Sequence, residues 1–157
     1  MDAEERSALR TVADYQFGRG AGAALFPDSN LVVARTSSGR PQQLFTAGGQ
    51  EAGERLVSYG TDGRFTLGLA GGRRLHGTLG RPTVAVGDES VPFVRDGKNA
   101  FARFVQGVDD DVRPGDEVLV VHDETLLAVG RAELPADAMR DFETGVAVSV
   151  REGASDA

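Results

Sequence analysis

The sequence predicts an α+β protein of two small units: a helix followed by an antiparallel meander, then a barrel-like module of mixed short strands with short helices. Three observations lead there. Apolar residues recur at helical spacing over roughly the first 26 positions. The pattern then changes to short strands separated by Gly-rich breaks. From Thr83 onward, short runs of Val, Leu and Ala alternate with turns rich in Pro, Gly and Asp. At 157 residues the chain has the length of one ordinary domain or two small ones. A hydrophobic content of 40% supplies a core, and with 6% aromatics and no Trp that core must be packed by Val, Leu, Ala and Phe.

Residues 4–26 read as a helix, with Leu9, Val12, Ala13, Phe17, Ala21, Ala24 and Leu25 along it and Asp2 or Ser7 near its start. Gly18, Gly20 and Gly22 weaken its second half, so the helix either uses them for close contact or breaks near Gly18. Phe26-Pro27-Asp28 ends it. Strands are expected over 31–36, 42–46, 55–59 and 64–69, with a Ser37–Arg40 turn, a break at Gly48, Gly49 and Gly53, and a Thr61-Asp62-Gly63 hairpin. Residues 1–80 form this first unit. Arg81-Pro82 opens the second, residues 81–153, because proline favours an extended entry.

The second unit begins with a strand over 83–86. A short helix is expected from about Asn99, with Phe93, Ala100, Phe101, Phe104 and Val105 on its apolar side. Asp109-Asp110-Asp111 reads as a solvated loop and Arg113-Pro114-Gly115-Asp116 as a tight turn. Strands over 118–121 and 126–131 form a buried hairpin about His122-Asp123-Glu124-Thr125. A helical stretch over 135–142 precedes a closing strand over 146–151, and residues 154–157 are expected to fray.

Several function classes are excluded. No run approaches the ~18 apolar residues that cross a bilayer, and the acidic N-terminus is no secretory signal, so a cytoplasmic protein is expected. With no Cys and only His76 and His122, neither a disulfide, a zinc centre nor a Ser-His-Asp or Cys-His nucleophile is indicated. Gly18-Arg19-Gly20-Ala21-Gly22 follows a helix and lacks dinucleotide-fingerprint spacing, and the Asp109–Asp111 run lacks calcium-loop spacing. No metal, cofactor or small-molecule substrate is implied.

The net charge is −7, with Lys98 the single lysine. An excess of Arg, Ala, Gly and Val fits a GC-rich genome, and the acid surplus suggests a salt-adapted, halophilic cytoplasm. The balance is uneven: residues 1–80 carry nine Arg against eight acids, whereas residues 81–157 carry eight basic residues against sixteen acids. A negative total opposes non-specific nucleic-acid binding, yet a local basic patch remains compatible with it.

Two segments resemble a known family. Val91-Pro92-Phe93 through Gly97-Lys98-Asn99 and Phe101–Val105, the Arg-Pro-Gly-Asp turn, the apolar strand after it and the Gly130-Arg131 strand end resemble a PUA domain, the RNA-binding module of pseudouridine synthases and archaeosine transglycosylases. Arg10-Thr11-Val12-Ala13-Asp14-Tyr15-Gln16-Phe17-Gly18, with Gly20 and Gly22 after it and Phe65-Thr66-Leu67 following Asp62-Gly63, resembles the α+β unit that precedes it in archaeal tRNA-guanine transglycosylases and archaeosine synthases. The resemblance spans residues 8–151. It implies a tRNA-binding extension without the (β/α)₈-type catalytic domain of those enzymes, hence a freestanding, non-catalytic module. It would bind RNA, specifically the acceptor stem or 3′ end of tRNA, as an accessory to tRNA modification. The competing expectation is a docking module for a tRNA-modifying enzyme or ribosomal partner, with no RNA contact of its own.

Gly97-Lys98 is the first candidate contact, since a glycine before a helix start exposes N–H groups to a phosphate and Lys98 adds a charge. Asn99 and Arg103, one helical turn apart, would face the same groove. The resemblance brings Gly130-Arg131 and Arg151 near it, with a surface ion pair as the competing role for each arginine. Arg73-Arg74 beside His76 is the densest basic cluster and lies in the first unit. Tyr15 is a candidate for base stacking, Phe17 a core residue, and Asp14 and Gln16 are hydrogen-bonding groups.

Overall fold

Asp2 caps the first helix: its carboxylate accepts from the Glu5 N–H at 2.7 Å, and Glu4 and Glu5 complement the positive end of the helix dipole. In the computed structural model, which describes residues 1–27, 31–47 and 53–155, that helix, α1 (Ala3–Phe17), buries Leu9, Ala13 and Phe17, four residues apart. The helix expected over 4–26 is two. The chain leaves helical geometry at Gly18 and resumes as α2 (Ala21–Leu25), and the Asp14 carboxylate accepts from the Gly22 N–H at 2.7 Å. The expected break at Gly48 and Gly49, Asp28, and the chain end at Asp156 and Ala157 lie outside the described residues.

Two compact units divide at Leu79 and Gly80. In the first, β1 (Leu31–Arg35), β2 (Pro41–Thr46), β3 (Arg55–Tyr59) and β4 (Phe65–Leu67) form an antiparallel sheet in sequence order. Val33, Leu44, Val57 and Leu67 stand opposite one another in a single apolar row across the four strands. Gln16 closes the outer edge of β4, donating to the Phe65 carbonyl and accepting from the Phe65 N–H, each at 2.8 Å. Asp14 and Gln16 are thus the hydrogen-bonding groups expected of them.

The strand expected over 64–69 stops at Leu67, and a helix that the sequence pattern does not reveal follows, α3 (Leu69–Thr78). Gly71 and Gly72 give it poor local propensity. Tertiary packing overrides that: a Cβ at Gly71 would overlap the Leu56 carbonyl oxygen, so the helix seats on β3 only because no side chain intervenes.

In the second unit the sheet runs β6-β10-β9-β8-β5-β7, from β5 (Thr83–Val86), β6 (Ala100–Phe101), β7 (Val105–Val108), β8 (Glu117–His122), β9 (Thr125–Ala132) and β10 (Val146–Gly153). β5 and β8 are parallel and the other pairs antiparallel, giving a nearly closed mixed barrel. Val84, Val86, Val118, Val120, Leu127 and Val148 fill it, with Met139 from α5 (Ala136–Asp141).

The helix expected from Asn99 is displaced. α4 (Val91–Arg95) comes earlier, after a 3₁₀ turn at Asp88–Ser90; Ala100–Phe101 is a strand, and only a second 3₁₀ turn covers Ala102–Phe104. Pro92 in the first turn of α4 marks the true start, since proline's missing N–H costs nothing there. Two further expectations change. Each member of the Asp109–Asp111 run is bonded: Asp109 accepts from the Thr83 N–H at 2.7 Å, Asp110 pairs with Arg140 and Asp111 with Arg81. Ala154, expected to fray, is buried and donates its N–H to the Leu127 carbonyl at 2.9 Å.

Candidate nucleic-acid interface

α4 and β6 shape the exposed groove of the second unit. The groove measures about 560 Å³, and its wall includes Phe93, Lys98, Asn99, Phe101, Arg103 and Phe104. Phe93 is 61% and Phe101 46% exposed. β6 produces this by simple alternation, with Ala100 buried against the barrel and Phe101 turned outward. Arg103 is held in place by its own neighbour, its guanidinium lying 4.7 Å from the centre of the Phe104 ring.

Three of the expected contacts, Lys98, Asn99 and Arg103, therefore meet in one place. The reason expected for the first of them does not hold. Gly97 and Lys98 follow a helix rather than precede one: the Gly97 N–H donates to Val94 and the Lys98 N–H to Phe93, each at 2.9 Å, closing the end of α4. Those amides are not available to an anion, and the helix dipole has the wrong sign there. What Lys98 offers is its ammonium group, exposed and without a partner among the described residues. Asn99 has a structural duty too, its side-chain oxygen accepting from the Val150 N–H at 3.0 Å on β10.

The remaining arginines are engaged by the protein. Arg151 grips the buried Glu117 carboxylate with both guanidinium nitrogens, at 2.6 and 2.7 Å. Arg131 pairs with Glu133 at 2.9 Å, and Ser149 donates to the same carboxylate at 2.7 Å. The Ser149 hydroxyl first and Arg131 second hold the Glu133 carboxyl below its usual range. Gly130 serves packing, because a Cβ there would overlap the Ser149 carbonyl of β10. In the first unit, Arg73 pairs with Glu54 at 3.2 Å and Arg74 donates to the Leu25 carbonyl at 3.0 Å, both from α3. Tyr15 is 95% exposed and Phe17 buried.

Sequence reasoning missed the aromatic exposure of this groove, placing Phe93 and Phe101 on the apolar side of a short helix. The two-residue alternation at Ala100-Phe101, rather than the helical spacing, is the signal that finds Phe101.

Comparison with known proteins agrees with this architecture. Residues 7–82 match the patch-forming domain C2 of tRNA-guanine transglycosylase, and residues 82–154 match the PUA domain. Residues 82–154 form a PUA domain. The chain is 40% identical over 155 residues to the tRNA-guanine(15) transglycosylase of Methanothermobacter thermautotrophicus and 42% identical over 154 residues to that of Thermococcus kodakarensis. Each match covers 96% of this chain but only 23% and 25% of the enzymes, so the chain spans about a quarter of the length of these relatives. Among solved structures, a hypothetical protein of Pyrococcus horikoshii has the same fold at TM-score 0.73 and 18% identity, covering 99% of this chain and 93% of that one. A PUA domain from Aeropyrum pernix matches at TM-score 0.67 and 23% identity, covering 100% and 85%. No helix among the described residues is long and apolar enough to cross a membrane.

His122, at the end of β8, ties that strand to the end of β5 and the 3₁₀ turn after it. Its Nδ1 lies 2.8 Å from the Val86 carbonyl and its Nε2 2.7 Å from Asp88 and 3.3 Å from Asp123. Both ring nitrogens thus face acceptors, and only imidazolium has a proton for each. The Val86 carbonyl chiefly, with the two carboxylates adding to it, holds His122 above the ordinary histidine value.

Two predictions follow from these contacts. Arg151→Ala removes the bidentate cation from the buried Glu117 carboxylate and is expected to lower unfolding free energy by about 3 kcal/mol in a denaturant titration, whereas Lys98→Ala changes it by less than about 0.5 kcal/mol. Because its folded value is raised, His122 contributes stability fully below about pH 6.5, its unfolded range. That contribution is lost as pH rises through the folded value. An NMR titration of the His122 ring in folded and urea-unfolded protein checks the direction, and His122→Gln should flatten the pH dependence of stability in that window.

Proposed function

We propose that this protein is a non-catalytic RNA-binding module that holds tRNA at its acceptor stem or 3′ end, as an accessory to tRNA modification in the cytoplasm. The observation that carries the reading is the PUA groove, where exposed Phe93 and Phe101 stand beside the ammonium of Lys98 and the guanidinium of Arg103. Aromatic faces for unpaired bases together with cations for phosphates are what single-stranded RNA recognition uses. Lys98 and Arg103 lead the contact set, and Asn99 offers its amide N–H₂. Gly97 sets the turn that presents Lys98. Arg131 and Arg151 contribute at most through the faces their carboxylates leave open, and Gly130 through the close approach of β9 and β10. Arg73 and Arg74 are a secondary, phosphate-contacting patch of the first unit.

The two-domain match to enzymes named for tRNA supports tRNA in particular, and archaeosine formation is the tRNA modification to which we assign the module. The transglycosylase activity of those enzymes is not carried over, because three quarters of their length has no counterpart in the match. A salt-adapted host accounts for the acidic second half, in which Asp88, Asp110, Asp123 and Asp137 keep their carboxylates more than nine-tenths in water.

Docking on a modifying enzyme without RNA contact is the competing reading, favoured by the same acid surplus. Titration of unmodified tRNA into the protein across a KCl series separates the two. On the RNA reading, Lys98→Ala and Arg103→Ala each weaken binding for all tRNAs and reduce the dependence of log K on log salt by about one phosphate contact. Unaltered affinity in both variants removes the groove from the interface, and absence of tRNA binding at any salt supports docking.

A further inference from the structure

Two hollows of the PUA domain share two side chains. Besides the groove of about 560 Å³ there is a smaller hollow of about 250 Å³, and Phe101 and Arg103 form the wall common to both. Glu143, Thr144 and Gly145 complete the smaller one. Their position is set by backbone pairing: Phe101 lies opposite Val146 in the β6–β10 ladder, and the Ala102 N–H donates to the Gly145 carbonyl at 2.9 Å. Phe142, next to Glu143 in the chain, is 49% exposed. The Glu143 carboxylate is exposed and has no partner among the described residues.

We infer that Phe101 is a wedge between two successive unpaired nucleotides, and that Glu143 reads the base in the smaller hollow through its amino group. This rests on the RNA reading of the groove and adds what the ligand must look like. A ring exposed between two hollows offers a stacking surface to a base on either side, which a paired duplex cannot use. Arg103, fixed over Phe104 at the shared wall, lies where the phosphate joining two such nucleotides must pass, and Lys98 in the larger hollow serves the neighbouring one. Glu143, like Glu89 in the wall of the larger groove, repels phosphate. Its chemistry fits a different task. A carboxylate only accepts hydrogen bonds, so it favours a base edge carrying an amino donor, as on cytosine, and disfavours uracil, whose corresponding position is a carbonyl oxygen.

Cytosine and uracil have the same ring and differ at that position, which isolates the effect. Fluorescence anisotropy of the full chain with labelled hexamers of cytidine and of uridine, alongside a blunt-ended RNA hairpin at the same KCl concentration, tests it. The cytidine hexamer is expected to bind about tenfold more tightly than the uridine hexamer. Glu143→Gln, whose amide can donate or accept, brings that ratio near one. Phe101→Ala weakens both hexamers by about tenfold. Both positions are exposed, and unchanged melting temperatures establish that the variants are folded. Equal binding of the two hexamers by the wild type, a ratio preserved in Glu143→Gln, or full affinity in Phe101→Ala overturns the inference. Binding of the hairpin but of neither hexamer overturns it too, while leaving RNA recognition standing. Failure to bind hexamers, hairpin and tRNA alike defeats the RNA reading itself.

Discussion

A carboxylate taken out of water must find a cation, and in this protein that requirement organises the second unit. Glu117 is 5% exposed within β8, and the Arg151 guanidinium meets it from β10 with two short hydrogen bonds. Desolvation makes such a pair of little net benefit and its breakage costly, so its effect is to specify where β10 lies rather than to add stability. β10 is also the strand on which the site depends. It pairs with β9 on one side and with β6 on the other, donates the Val150 N–H to the Asn99 side chain, and brings Gly153 against the carbonyls at the end of α4. With β10 in place, Phe101 has its ladder partner and Arg103 its position beside the 143–145 turn.

The groove illustrates how a strongly acidic chain accommodates a cationic patch. Most arginines here are consumed by carboxylates or carbonyls: Arg35 by Glu5, Arg81 by Asp111, Arg131 by Glu133, Arg140 by Asp110 and Arg151 by Glu117. Arg103 stacks on an aromatic ring, and Lys98 stands clear of acidic partners among the described residues. Local availability, and not net charge, is what a polyanion senses within a Debye length of about 8–10 Å. Hence a total of −7 is compatible with an RNA-binding surface. Exposed aromatics complement the two cations, since stacking survives the salt that weakens ion pairs.

Strong period and strong punctuation were legible in advance. The apolar runs that became β8, β9 and β10, the caps of α1 and the switch from helical to alternating pattern are local signals, and they marked the α+β class and a PUA-like second unit. The helix α3 was not legible, because its two adjacent glycines erase the local signal, and Gly71 is required only by the backbone it meets in β3. Around 91–104 the pattern misled: several phenylalanines and alanines at near-helical spacing concealed a short early helix, a strand and a 3₁₀ turn. A five-residue helix makes too few turns to impose a period, and the register was decided by β10 instead.

By itself, then, the sequence determined the fold class, the family resemblance and the identity of the one lysine, since these depend on residue types and their order along the chain. The tertiary structure alone decided which charges remain available and which aromatics face water. Whether an arginine is a ligand contact or half of an ion pair depends on the acid that the fold brings beside it. For Arg151 that acid is 34 residues away along the chain, a separation over which no local pattern carries information.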